Sequence, residues 1–269
     1  MKSGSPGERR RYSRLLGFAA SIVLLLAVLV LRDSQSEAKT PAAERSPVVV
    51  ELFTSEGCSS CPPADALLRQ LRQEHDPNGA EVIPLGFHVD YWDFQGWRDR
   101  FDSAAYSQRQ EHYAHQLRID GPYTPQMIVN GEVEFVGSDA SRARQAIAQA
   151  AAQEPLAQLQ ISAAKGALDI KAHSAAPADV MLAITEDNLT TKVGRGENGG
   201  RTLHHSAVVR ELRRIGQATR TGFSGTVPIT VEKEWKRDDL RAVVFVQDGS
   251  SGKILGAASV PLKSLPGAN

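Results

Sequence analysis

Cysteine is nearly absent. The 269 residues hold two, which excludes the multiply bridged framework of a small secreted module. There is no second Cys-x-x-Cys, so a structural zinc would need two further ligands from histidines or carboxylates. Net charge is also missing, with 31 Lys and Arg against 31 Asp and Glu. Residues 1–40 carry seven basic against three acidic residues, which leaves 24 against 28 in the remainder. A mildly acidic body without a basic stripe disfavours nucleic-acid binding. Internal repeats are lacking as well.

Long apolar runs are lacking with one exception. Leu15–Leu31, 17 residues without a charge, follows Lys2, Arg9, Arg10, Arg11 and Arg14 and precedes Arg32, Asp33 and a polar stretch to about Pro47. A basic start, an apolar middle and a polar follow-on form an export signal. The run is slightly long for a cleaved signal and slightly short for a spanning helix. A cleavage site at Ser36-Glu37-Ala38 and an uncleaved anchor with its basic end inside therefore both stand. Either way the bulk of the chain is expected outside the cytoplasm, periplasmic or secreted, with membrane contact through residues 15–31 only.

Patterning divides the chain beyond this segment. Val48–Phe53 and Val82–Val89 read as buried strands, Ala64 to about His75 as a helix stopped by Asp76-Pro77-Asn78-Gly79, and Arg98 to about Leu117 as a second helix. Gln126–Asn130 and Val133–Val136 flank Asn130-Gly131, a hairpin signal, and Ser138-Asp139 caps a helix running to about Gln153. After Leu156 the pattern changes to short strands, at Leu159–Ser162, Leu168–Ala172, Val180–Thr185, Val227–Val231, Arg241–Val246 and Ile254–Val260. The expected organisation is an export signal or anchor with linker (1–46), an α/β domain (47–154), and a smaller all-β, sandwich-like module (155–269) divided near Glu154-Pro155.

The chemistry lies at Cys58-Ser59-Ser60-Cys61-Pro62, between a strand and a helix. A crosslink this short makes a poor staple, because stabilisation grows with the loop closed, so the pair suggests reactivity. The thiolate is the attacking form, and a helix N-terminus favours it through unpaired N–H groups and the helix dipole. Cys58 would be the nucleophile and Cys61, one turn on, the resolving thiol. Pro62 fits the first turn, where its missing N–H costs little.

Thr124-Pro125, ahead of an apolar strand and the Asn-Gly turn, is the second signature. With it the chain resembles the thioredoxin superfamily, whose members place a cis-proline before a central strand and opposite the dithiol. The resemblance implies that role for Pro125, with the Thr124 backbone pairing an extended partner. An ordinary trans proline opening an edge strand is the alternative. Val50–Ser55, Gly57–Asp65, His88–Asp93 with Gly96-Trp97, Tyr123–Gln126 and Glu197–Leu203 with His205 and Val208–Leu212 are similar to a secreted bacterial family described as a domain of unknown function and placed among thioredoxin-like folds. That likeness spans about residues 47–265.

The resemblance also implies a proton-transfer role for Glu51, seven positions before Cys58, against a carboxylate facing solvent from a strand edge. Asp65 is expected to hold the loop. Thr124, Trp92 and Tyr123 are candidate substrate-binding residues, although core packing competes for Tyr91, Trp92 and Trp97. His88 and Asp90 end the second strand, where α/β sites collect. Cys58, Cys61 and His88 could form a soft copper or zinc site, although the related copper chaperones space their cysteines by three residues rather than two. Adjacent His204 and His205 project to opposite faces and so do not chelate one ion together; with Asn198 and Arg201 they read as structural or as a contact between modules.

Three functions compete. The first is thiol–disulfide exchange with exported protein thiols, small thiols or a redox partner protein, needing no cofactor. The second is metal binding or delivery through the dithiol and His88. The third is a non-catalytic binding module that keeps the fold as scaffold.

Overall fold

The computed structural model describes residues 46–74 and 79–264; the expected export segment 1–46 lies, but for Ser46, outside them, as does most of the helix stop at 76–79. Along the chain run β1 (Val48–Thr54), α1 (Pro62–Gln73), β2 (Val82–His88), α2 (Ala104–Leu117), β3 (Gln126–Val129), β4 (Val133–Val136) and α3 (Ala140–Ala151). There follow β5 (Ala157–Ala164), β6 (Ala167–Ser174), β7 (Ala178–Glu186), β8 (Leu189–Lys192), β9 (Thr202–His205) and β10 (Val208–Ala218). The chain continues through β11 (Phe223–Pro228), β12 (Leu240–Gln247) and β13 (Ile254–Pro261). No helix among the described residues is long and apolar enough to cross a membrane.

This is a mixed α/β fold built on one eight-stranded sheet, ordered β13-β12-β7-β10-β2-β1-β3-β4. Strand β1 lies parallel to β2 and antiparallel to β3. All seven residues of β1 are buried, which explains its lack of alternation. Its Val48, Val50 and Leu52 pack with Leu67, Leu68 and Leu71 of α1 and Ala143, Ala146 and Ile147 of α3. Val49 and Phe53 pack on the opposite face with Tyr106 and Tyr113 of α2. The hairpin turn is as read, with Asn130 and Gly131 at φ 48° and 70°, and Asp139 caps α3 by accepting the Arg142 N–H at 2.9 Å.

The expected break near Glu154-Pro155 does not divide this sheet. Strands β7, β10, β12 and β13 extend the sheet that β1–β4 begin, and the described residues form one compact unit. The join is narrow, with β10 pairing β2 only at Val208↔Gly86 and the Gly86 N–H bonded to the Ala207 carbonyl at 2.7 Å. Against this shared sheet packs the three-stranded sheet β11-β6-β5, in place of a separate all-β module. Leu168, Ile170 and Ala172 meet Val180, Leu182, Ile184 and Val244 between them.

Two other expectations change. The second helix begins at Ala104 rather than Arg98, because Ser103 is its cap and the Asp99 side chain accepts the Phe101 N–H at 2.9 Å, holding this stretch out of helix. Strand β10, eleven residues long, escapes a hydrophobicity reading because Arg210, Glu211, Arg213 and Arg214 interrupt it.

Candidate functional site

The carboxyl end of β1 leads into a tight loop. The Cys58 N–H bonds the Ser55 carbonyl at 3.2 Å, the Cys61 N–H bonds the Cys58 carbonyl at 3.2 Å, and Cys61 is the residue before α1. Cys58 and Cys61 are disulfide-bonded, with Cα atoms 5.4 Å apart. Pro62 and Pro63 open the helix without loss, since neither N–H would have an intrahelical acceptor. Neither cysteine has exposed surface, although Ser59 and Ser60 between them are exposed. The Ser60 hydroxyl lies 3.3 Å from the Cys58 sulfur.

Beneath the loop lies a buried charged cluster that no local spacing in the sequence announces. Asp99, fully buried, accepts the Glu56 N–H at 2.8 Å and meets His88 Nδ1 at 2.6 Å. Burial opposes the charged form of each, but their mutual attraction and hydrogen bond prevail: the His88 pKa is raised and that of Asp99 lowered. Glu56, also fully buried, accepts the Trp97 indole N–H at 2.8 Å and approaches His205 Nε2 at 3.3 Å. Asp65 accepts the Thr54 hydroxyl at 2.9 Å, and burial pushes its pKa up despite the nearby His205 and His88. Asp65 thus ties α1 to β1, the loop-holding part expected of it.

Above the loop passes the segment 194–201, joining β8 to β9. Asn198 has no exposed surface and donates from one amide nitrogen to the carbonyls of Glu56 and Cys58, each at 2.9 Å. Its oxygen accepts Arg201 at 3.0 Å. Glu197 accepts the Ser59 N–H at 3.1 Å, and hydrogen bonding from the Ser59 side chain first and its backbone second lowers the Glu197 pKa. Gly196 sits at φ 79°, and a Cβ there would lie 3.1 Å from the Trp97 Cβ, so both its backbone and its approach to Trp97 favour glycine. Asn198 of the β-rich half therefore straps the cysteine loop, whereas Arg201 bonds within its own segment. His204 is exposed and His205 buried on β9, on opposite faces as read.

Thr124 and Trp92 do come to the site. The Trp92 indole donates to the Thr124 hydroxyl at 2.8 Å, and a Cβ on Gly57 would lie 3.1 Å from the Trp92 Cβ. The Thr124–Pro125 bond is cis. Pro125 lies near the start of α1, since a Cβ at Gly137 would meet both the Pro125 and Ala64 Cβ atoms, at 3.2 and 3.3 Å. Tyr123 bonds Glu134 at 2.7 Å. Trp92 and Trp97 are half-buried, Trp92 packing against the core that includes Phe53 and Phe87, while Tyr91 is exposed and Phe94 among them is 95% exposed.

Glu51 is placed differently from both readings of it. It is fully buried, so it does not face solvent, but it points to the α2 face. There it pairs with Arg109 at 2.7 Å and accepts the Tyr113 hydroxyl. Each of its oxygens is hydrogen-bonded there, whereas Asp99, Asp65 and Glu197 hydrogen-bond the cysteine loop or the residues that flank it. For the metal alternative, His88 is engaged by Asp99, and among the described residues no group of three or more His, Cys, Asp or Glu is arranged to hold an ion. Asp90 is bonded to the Ser107 hydroxyl at 2.5 Å.

A family model described as "Protein of unknown function (DUF1223)" matches residues 49–247. A crystal structure of an Agrobacterium tumefaciens protein is similar, with 28% identity, a TM-score of 0.66, and coverage of 82% of this chain and 94% of that one. HBP35 of Porphyromonas gingivalis shares the fold at 14% identity and a TM-score of 0.59, over 84% of this chain and 78% of its own. Among curated proteins none matches.

Proposed function

The chain belongs to the DUF1223 family, a description that leaves activity open, and on that premise we propose that it performs thiol–disulfide exchange at Cys58–Cys61 outside the cytoplasm. The observation that carries this reading is the bond itself: the two cysteines of the chain are joined across a four-residue loop at the start of α1. The order β1-α1-β2-α2-β3-β4-α3, with Pro125 before β3, resembles the thioredoxin superfamily and supports it. In the exchange, the Cys58 thiolate attacks one sulfur of a partner disulfide and expels the other sulfur as a thiolate. Cys61 then attacks the Cys58 sulfur, closes the ring and releases the bound partner. Thr124 and Trp92 would border the partner chain, and the exposed Phe94 would offer it apolar surface.

Burial of both sulfurs requires that the strap or the aromatic segment shift before a partner docks. A Cys61→Ser variant, unable to resolve, should accumulate a mixed disulfide on Cys58, whereas Cys58→Ser should trap nothing. Wild-type protein should accelerate reduction of a disulfide-bonded reporter by dithiothreitol. Absence of both trapping and acceleration rejects exchange. It favours a scaffold role, which the burial of the cysteine pair independently suggests.

A further inference from the structure

We propose that Glu197 and Asn198 bias the Cys58–Cys61 pair toward its disulfide, so that the reduced protein is an electron donor and its substrate class is the disulfide. The inference rests on the exchange reading and adds its direction. The balanced reaction is protein dithiol plus R–S–S–R′ giving protein disulfide, RSH and R′SH. A stronger dithiol donor must then return two electrons and two protons.

The bias comes from the surroundings of the sulfurs. Reduction to the dithiol creates a group whose reactive form is an anion, and a potential rises when that anion is stabilised. Here the charged groups that could stabilise it are engaged elsewhere. The Ser59 N–H, adjacent to Cys58 and oriented to the loop surface, is taken by the Glu197 carboxylate at 3.1 Å. That same carboxylate adds a solvent-exposed negative charge to the loop that carries Cys58. The charges below the loop do not compensate: His88 faces Asp99, His205 faces Glu56, and Asp65 adds a carboxyl group. The Arg201 guanidinium above it is directed to the Asn198 oxygen. Among the described residues, the polar side chain in hydrogen-bond contact with a cysteine sulfur is the neutral Ser60 hydroxyl. Both cysteines lack exposed surface, so water does not solvate an anion there either.

Asn198 adds a geometric hold. Its amide nitrogen joins the carbonyls of Glu56 and Cys58, residues two apart, and so pins the backbone in the shape that the ring requires. The helix N-terminus favours the thiolate, but that help is available to any cysteine so placed; the strap is what this chain adds. Glu197 and Asn198 come from a segment far along the chain, which gives the half beyond Ala151 a part in the chemistry.

The test equilibrates the full chain, wild type, Glu197→Gln and Asn198→Ala, in glutathione and in dithiothreitol redox buffers and counts free thiols by alkylation. Wild type should remain disulfide-bonded through the glutathione series and open only in dithiothreitol. Glu197→Gln should move the equilibrium toward the dithiol several-fold, and Asn198→Ala tenfold or more, about 30 mV for a two-electron couple. The thiol pKa of Cys58, read from alkylation rate against pH, should fall in Glu197→Gln. Half-reduction of wild type within the glutathione series, or variants that leave the equilibrium unmoved, would overturn the inference. Should Asn198→Ala fail to fold, Glu197→Gln decides alone, since its side chain is exposed. The equilibrium is a property of this protein by itself. A low potential without reporter reduction therefore rejects the exchange reading while keeping the bias, and a high potential with turnover does the reverse.

Discussion

Replacing Asp99 with alanine should disable the foundation of the site. Its carboxylate accepts the Glu56 N–H at 2.8 Å, the Phe101 N–H at 2.9 Å and the His88 ring at 2.6 Å, with no exposed surface. Removing one partner from a buried pair of this kind leaves the other uncompensated and costs about 3–5 kcal/mol. For a chain of this size that corresponds to a fall in Tm of roughly 6–20 °C. The loss should depend on pH with a determined sign. The lowered Asp99 pKa contributes stability that is present above the unfolded carboxylate pKa and disappears as pH falls through the folded value. The raised His88 pKa contributes stability that is complete below the unfolded imidazole pKa and disappears as pH rises through the folded value. The difference between wild type and Asp99→Ala is therefore greatest between these two limits and shrinks on both sides. Guanidinium titrations at intervals from pH 3 to pH 9 measure it. A difference below about 1 kcal/mol at its maximum, or one that is flat with pH, would refute the pairing argument.

Other residues give further tests. Glu51→Gln should lose about 3–5 kcal/mol, because Arg109 stays buried without its counter-charge, while the Cys58 alkylation profile stays where it was; a shifted profile would return Glu51 to the chemistry. Asp65→Asn should become increasingly favourable relative to wild type as pH rises from the unfolded carboxylate pKa to the raised folded value, and then level off. In that window the unfolded chain ionises at this position while the native carboxyl keeps its proton, so the native protein loses stability, and pH-resolved thermal melts read the difference. Gly137→Ala should cost about 1–3 kcal/mol and disturb the Pro125 region. Its new methyl would meet Leu52 Cδ1 at 2.7 Å, with the Pro125 and Ala64 Cβ atoms just beyond. Chemical denaturation measures the cost, and an unchanged midpoint would show that the core yields there.

Local chemistry makes much of this molecule legible in its sequence. β1 and β2, the Asn130-Gly131 turn and the Asp139 cap each depend on residues within a few positions of one another, and each stands where its pattern placed it. The cysteine pair likewise carries its meaning in its spacing and in the helix beyond it. The domain break at Glu154-Pro155 failed as a division because a change in patterning marks a change in composition, whereas sheet membership depends on which edges meet. Here a single pairing, Val208 with Gly86, makes two halves one sheet.

The chemical surroundings of the sulfurs were the part that no periodicity could announce. Glu56 and Asp99 lie 43 residues apart, and Asn198 reaches Cys58 across 140. A carboxylate at position 51 can be seen in the chain, but the face it takes depends on the alternation of β1, and its partner on how α2 packs. Sequence alone determined the cysteine pair, its helix and the strands beside it, because hydrogen bonding and side-chain alternation act over a few residues. Only the folded chain decided which charges lie below that pair and which strap lies above, because electrostatics and burial act through space.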